Sequence, residues 1–156
     1  MKSNAKIIVT SRTFCEVPCL CEELLEVFPN AILNMGGAFF QKPDLIEYLK
    51  DADGVLLGTE AMDKEVIDCL PNVKIISKYG VGLDNIDLDY AKKAGKIIGW
   101  TGGVNKRSVA EEALAFMIGM CRNLYWTGFQ MKQGTWDKNG GFQLSGKKVV
   151  RCQLKE

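Results

Sequence analysis

Short apolar runs alternate with helix-like stretches along the first two thirds of this chain. The runs are Lys6–Thr10, Ala31–Met35, Gly54–Gly58, Val73–Ser77 and Lys96–Trp100. Several are rich in Ile and Val and continuously apolar, the pattern of strands covered on both faces of a parallel sheet. The stretches between them carry helix punctuation. Pro18 to Phe28 places Leu20, Leu24, Val27 and Phe28 on one helical face. Pro43 opens a second helix with Leu45, Ile46 and Leu49. Asp63 is placed to cap a helix that runs to Cys69 and ends before Pro71; Asp87 is placed to cap Leu88 to Ala94, with Gly95 as the stop.

Repeated βα units with short connections predict an α/β domain. The expected architecture is a doubly wound, flavodoxin-like parallel sheet of about five strands. Right-handed crossovers bring the strand ends and their loops to one edge, where ligands bind in such sheets. After Trp100 the pattern changes. Ala110, Ala113, Leu114, Met117, Ile118, Cys121 and Leu124 recur at helical spacing, and Ala115, Phe116 and Met120 add apolar surface on other sides. One long C-terminal helix from about Ser108 to Lys132 is expected, buried by more than one partner. A loop follows, and Lys147-Lys148-Val149-Val150 reads as the start of another strand. The expected division is therefore 1–104 for the α/β domain and 105–156 for the rest.

The bulk composition narrows the function classes. At 156 residues, with 47% apolar and 25% charged residues, the chain has the balance of a soluble globular domain. A net charge of +1 offers no basic field for nucleic acid. No apolar run approaches the roughly 20 residues that span a bilayer, and Met1 to Lys6 lacks the apolar stretch of a signal peptide, so a cytoplasmic location is expected. Of six cysteines, Cys15, Cys19 and Cys21 are spaced C-x3-C-x-C, and Cys69, Cys121 and Cys152 are scattered. That spacing does not match structural zinc sites, and reduced, partly buried thiols are expected, with no metal. The chain contains no histidine, so the commonest general base near neutral pH is missing from it.

The segment Lys78-Tyr79-Gly80-Val81-Gly82-Leu83-Asp84-Asn85-Ile86-Asp87 lies between the fourth run and a helix. Two glycines around one residue allow close backbone approach, with amides free to face an anion. Gly80-Val81-Gly82 begins a G-x-G-x-x-G pattern, but Asn85 occupies its third position. No acidic residue ends a strand about 20 positions on, where Gly99-Trp100-Thr101 stands, so the loop is not a Rossmann phosphate turn. Two readings stay open on the pattern: a tight turn after a buried strand, or an anion-binding loop. Ser11-Arg12 and Gly58-Thr59 stand where a phospho-receiver domain needs acids, Thr10 to Thr13 lacks the glycine of a flavin phosphate loop, and no Walker loop occurs.

The Lys78 to Asp87 segment resembles the loop of the D-isomer-specific 2-hydroxyacid dehydrogenases, the family that includes phosphoglycerate dehydrogenase. Thr101-Gly102-Gly103-Val104-Asn105 and Ser108-Val109-Ala110-Glu111 follow in order, similar to that family's N-T-P-G-V-N and S-V-A-E segments. Leu144-Ser145-Gly146-Lys147-Lys148-Val149 is similar to the segment that opens its cofactor domain. The resemblance covers the chain to about Val150. It implies hydride transfer between a small 2-hydroxy or 2-keto acid and NAD held in a second domain. It implies a substrate site at Lys78, Tyr79, Gly80, Val81 and Gly82, with the amides around Val81 and Gly82 on the carboxylate. It places Val81, Asn105 and Val109 towards the cofactor. Plainer readings stand beside these: a solvated Lys78, Asn105 as a helix cap, and Val109 in the core.

Two departures bear on the resemblance. Trp100 and Gly102 replace the family's Asn and Pro, and the run from Lys147 leads into Arg151-Cys152-Gln153-Leu154-Lys155-Glu156 instead of a glycine fingerprint. The expectation is a substrate-binding domain with its interdomain helix, cut at the start of the cofactor domain by a shifted reading frame or by a chosen boundary. Such a chain has no catalytic residue of its own, binds no NAD and turns over nothing. The alternative is a non-catalytic binding module that associates with itself, as a homodimer or swapped oligomer through helix 108–132.

Overall fold

The computed structural model describes residues 3–150. The chain divides into two compact units, Met1–Val104 and Asn105–Glu156.

In the first unit, β1 (Ile7–Val9), β2 (Gly54–Leu57), β3 (Ile75–Lys78) and β4 (Ile97–Gly99) form one parallel sheet in the order β1-β2-β3-β4. Ile8 pairs with Val55, Val55 with Ile76 and Ile76 with Ile98. Side chains alternate across a strand, which divides the core in two. On one face Ile8, Val55, Leu57 and Ile76 pack with Leu45 and Leu49 of α3 (Lys42–Leu49), Val66 and Ile67 of α4 (Lys64–Asp68) and Ala91 of α5 (Leu88–Lys93). On the other, Val9 and Leu56 pack with Phe14 and Cys15 of α1 (Arg12–Cys15) and with Leu20, Cys21 and Leu24 of α2 (Pro18–Val27). Helices on both faces make the sheet doubly wound. Each fully buried aliphatic side chain contributes about 1.5–3 kcal/mol.

The caps follow local chemistry. Asp63 accepts from Val66 N at 3.2 Å and Asp87 from Tyr90 N at 2.9 Å, each satisfying an unpaired amide of the first turn. Pro18 and Pro43 sit in the first turns of α2 and α3, where no amide is needed.

Two expectations for this unit are corrected. The run Ala31–Met35 is not a fifth strand: it makes one parallel bridge, Ile32 to Ile8. The chain then turns away because buried Asn34 holds the next turn. Its Nδ2 donates to Thr10 O and Ala38 O, and its Oδ1 accepts from Ala38 N, all at 2.9 Å. Val27, expected on the apolar face of α2, is exposed.

In the second unit the expected single helix is two, α6 (Lys106–Cys121) and α7 (Leu124–Lys132). Asn123 separates them at φ +54°, in the left-handed region. The Cys121 carbonyl accepts from Phe142 N at 2.8 Å, Arg122 Nε donates to Gly140 O at 3.0 Å and Asn123 Nδ2 donates to Asn139 O at 3.2 Å. The Cys121 carbonyl, which a continuous helix would pair with the amide of residue 125, is thus taken by Phe142, and two side chains tie the break to the same segment. Residues 147–150 form no strand among the described residues, where no ladder partner lies alongside them. The tail Arg151–Glu156 lies outside the described residues. No helix among those described is long and apolar enough to cross a membrane.

Candidate functional site

The carboxyl ends of β1, β2 and β3 open on two adjoining clefts within the first unit. One, of about 290 Å³, is lined by Thr59, Lys78, Tyr79, Gly80, Val81, Gly82, Asp84 and Asn85. The other, of about 200 Å³, is lined by Ser11, Arg12, Thr13, Phe39, Gly58, Thr59, Glu60 and Tyr79. Thr59 and Tyr79 belong to both. The Tyr79 ring stands edge-on to Phe14, with centroids 5.3 Å apart, which fixes the wall between the clefts.

The glycine loop is shaped by its backbone. Gly80 has φ +136°, a conformation that side chains rarely adopt. Tyr79 N donates to Leu57 O at 2.9 Å, which carries the β3 ladder to the loop's entrance. The far end is stapled to the segment after β2. Asn85 Nδ2 donates to Gly58 O at 3.2 Å and to Glu60 O at 2.7 Å, while Asn85 O accepts from Met62 N at 2.7 Å. Val81 is partly exposed and its carbonyl accepts from the Trp100 indole at 3.1 Å.

Lys78 lines the first cleft, but its ammonium is engaged with the protein. Nζ donates to the Gly58 carbonyl and to Asn85 Oδ1 at 2.9 Å. Burial pushes its pKa below the usual lysine range, against the pull of Asp84 and Glu60. It is thus neither the solvated lysine of the plain reading nor an unengaged cation. Asp84 is a carboxylate on the rim: a Cβ at Gly82 would come within 2.6 Å of its Oδ1. An anion in this cleft would therefore be held by backbone dipoles and opposed by Asp84.

The second cleft mixes signs. The Arg12 guanidinium lies 4.0 Å from the Phe39 ring centroid, a cation–π contact. Glu60 Oε2 accepts from Thr10 Oγ1 at 2.7 Å, and Gly58 N donates to the same hydroxyl at 3.0 Å. Thr10, Asn85 and Glu60 escape sequence reading because they sit singly in loops or at a strand end. Thr10 and Glu60 meet across 50 residues, and Asn85 reaches the Glu60 carbonyl across 25.

The structure brings Lys78, Tyr79, Gly80, Val81 and Gly82 together around one cleft. Asn105 and Val109 belong to the second unit. Asn105 occupies the N-cap position of α6 without a side-chain cap hydrogen bond, and Val109 is exposed, so the core reading of Val109 does not apply. The loop does not fit a dinucleotide pyrophosphate. A phosphate cradle needs an open helix N-terminus, and that of α5 is closed by the Asp87 carboxylate. Among the described residues no group of His, Cys, Asp and Glu is arranged to hold a metal.

The model of the D-isomer specific 2-hydroxyacid dehydrogenase catalytic domain matches residues 16–140. This chain belongs to that family. It is 36% identical over 98 residues to a glyoxylate reductase of Thermofilum pendens, which covers 62% of this chain and 29% of that protein. It is 34% identical over 146 residues to a D-3-phosphoglycerate dehydrogenase of Methanocaldococcus jannaschii, covering 91% of this chain and 26% of that one. The chain thus spans less than a third of the length of either relative. An NAD+-bound 3-phosphoglycerate dehydrogenase of Entamoeba histolytica superposes with a TM-score of 0.63 at 30% identity, over 77% of this chain and 40% of that one. Of these relatives, the Entamoeba enzyme holds NAD+, and this chain matches part of the length of each.

Proposed function

We propose that residues 1–104 are the substrate-binding domain of an NAD-dependent D-2-hydroxyacid dehydrogenase, and that residues 105–156 are the interdomain helical segment and the start of the NAD-binding domain. The carboxylate of a small 2-hydroxy or 2-keto acid sits against the backbone amides of Val81 and Gly82, between Tyr79 and Thr59. The observation that carries this reading is the cleft itself: it is lined by Gly80, Val81 and Gly82, two of which have no side chain, while Lys78 is tied to Gly58 and Asn85. Preorganised amides bind a carboxylate without a side-chain charge. Val81 also faces the nicotinamide edge, with Asn105 and Val109 on the cofactor side. NAD supplies the hydride chemistry when bound. Within these 156 residues there is neither a histidine to move the proton nor a G-x-G-x-x-G run for the pyrophosphate. The chain by itself therefore binds no NAD and transfers no hydride. The five free thiols among the described residues support a reducing, cytoplasmic setting.

Two measurements test this. Pyruvate and glyoxylate titrated into the purified chain should shift the backbone amide signals of residues 80–82 and leave those of β1 unmoved. The same chain with NADH and a panel of 2-keto acids should show no oxidation of NADH. Turnover, or loop amides unmoved by every acid, would overturn the respective half of the proposal.

A second reading rests on the second unit. Leu114, Phe116, Ile118, Met120, Leu124, Trp126, Phe129 and Met131 are each 46–74% exposed, far more apolar surface than scattered single residues leave. It supports a homodimer or swapped assembly built through α6 and α7.

A further inference from the structure

Trp100 and Gly102 meet beside the glycine loop. Trp100 follows β4, and its Nε1 donates to the Val81 carbonyl at 3.1 Å. The Val81 carbonyl and the Gly82 N–H belong to one planar peptide unit and point in opposite directions. Holding the carbonyl therefore sets the direction of the amide. The loop has little stiffness of its own here, since two of its three central residues are glycines. Among the described residues, the indole supplies the hydrogen bond that reaches Gly80–Gly82 from outside the loop. Asn85 and Tyr79 fix the two ends.

Gly102 gives the indole its seat. A Cβ there would lie 2.5 Å from Trp100 Cη2 and 2.8 Å from Cζ2. Any side chain at 102 would push the ring off the loop, so the large residue at 100 and the glycine at 102 act as one device.

We propose that Trp100 is a positioning residue for the carboxylate site: its indole N–H orients the Val81–Gly82 peptide so that the Gly82 amide faces the ligand. The proposal rests on the carboxylate-binding reading above. It gives Trp100 a task in ligand recognition without contact to the ligand.

The test uses the full 156-residue chain, labelled with ¹⁵N, as such and as the Trp100→Phe and Gly102→Ala variants. Trp100→Phe keeps an aromatic ring and removes the donor; Gly102→Ala keeps the donor and displaces the ring. Without ligand, both variants should lower the heteronuclear NOE at Gly80 and Gly82 and leave that of Val55 and Ile76 in the core unchanged. With pyruvate as the probe, both should weaken binding by about three- to tenfold, the loss of one hydrogen bond's net contribution. Combining the two changes should weaken it no further, because each removes the same contact. NOE values in Trp100→Phe equal to those of the unsubstituted chain overturn the indole's hold on the loop. An unsubstituted chain whose loop amides ignore pyruvate overturns the carboxylate reading instead. Lowered NOE values with unchanged pyruvate affinity overturn the positioning task alone.

Discussion

Lys78 illustrates how a charge near a ligand cleft can serve the fold. Its ammonium bridges the Gly58 carbonyl after β2 and the Asn85 side chain beyond the glycine loop, and burial holds its pKa below the ordinary lysine range. Lys78→Met keeps the length of the stem and removes both hydrogen bonds. It should destabilise the first unit by about 1–3 kcal/mol, read as a lower midpoint in urea unfolding with unchanged slope. A cation serving the ligand alone would leave that midpoint where it was. Contacts of this kind are hard to read from sequence. Asp63 and Asp87 are legible as caps because their partners stand three residues on, within one turn. Lys78 reaches back 20 residues and Trp100 reaches back 19, and neither separation leaves a local pattern.

At the scale of elements, strands are legible where a whole apolar run is buried on both faces, as with Gly54–Leu57. Ala31–Met35 is also mostly apolar but meets the sheet at a single residue. What decides there is Asn34, whose side chain turns the backbone after one bridge. The two-glycine loop is legible as a turn, and Gly80 does adopt a positive φ. Periodicity likewise carries the eye straight through Arg122 and Asn123, because a left-handed residue changes no side-chain spacing. The break between α6 and α7 therefore yields an element-scale prediction. Asn123→Val forces a β-branched residue into φ +54° and should cost about 1–2 kcal/mol. Asn123→Gly should be tolerated or slightly stabilising. Thermal unfolding followed by circular dichroism separates the two outcomes, and equal losses in both variants would locate the effect in the Asn123 side chain's bond to Asn139 instead.

For the whole molecule, the contrast between the two units is physical. The first buries its large aliphatics on both faces of a sheet, whereas the second leaves Leu114, Phe116, Met120 and Trp126 exposed. The expected outcome is association through the second unit, seen as a dimer or larger mass by light scattering at micromolar concentration. Leu114→Glu with Phe116→Lys, which place charges on that surface, should return the mass to that of a monomer. A monomer mass for the unsubstituted chain would count against the self-association reading and leave the carboxylate-site proposal untouched. The helix-rich character of this region is legible in its periodicity, but its partner is not, since exposure depends on what lies outside a helix.

The strand order β1-β2-β3-β4 is also the order of synthesis. Each strand after the first finds its neighbour already made, so the sheet can grow by addition at one edge as the chain leaves the ribosome. Both clefts draw all of their lining from residues 11 to 85, and Trp100 follows soon after. A nascent chain that has emerged to residue 104 would therefore hold every residue that lines the two clefts, and the indole bonded to Val81, before the first turn of α6 exists.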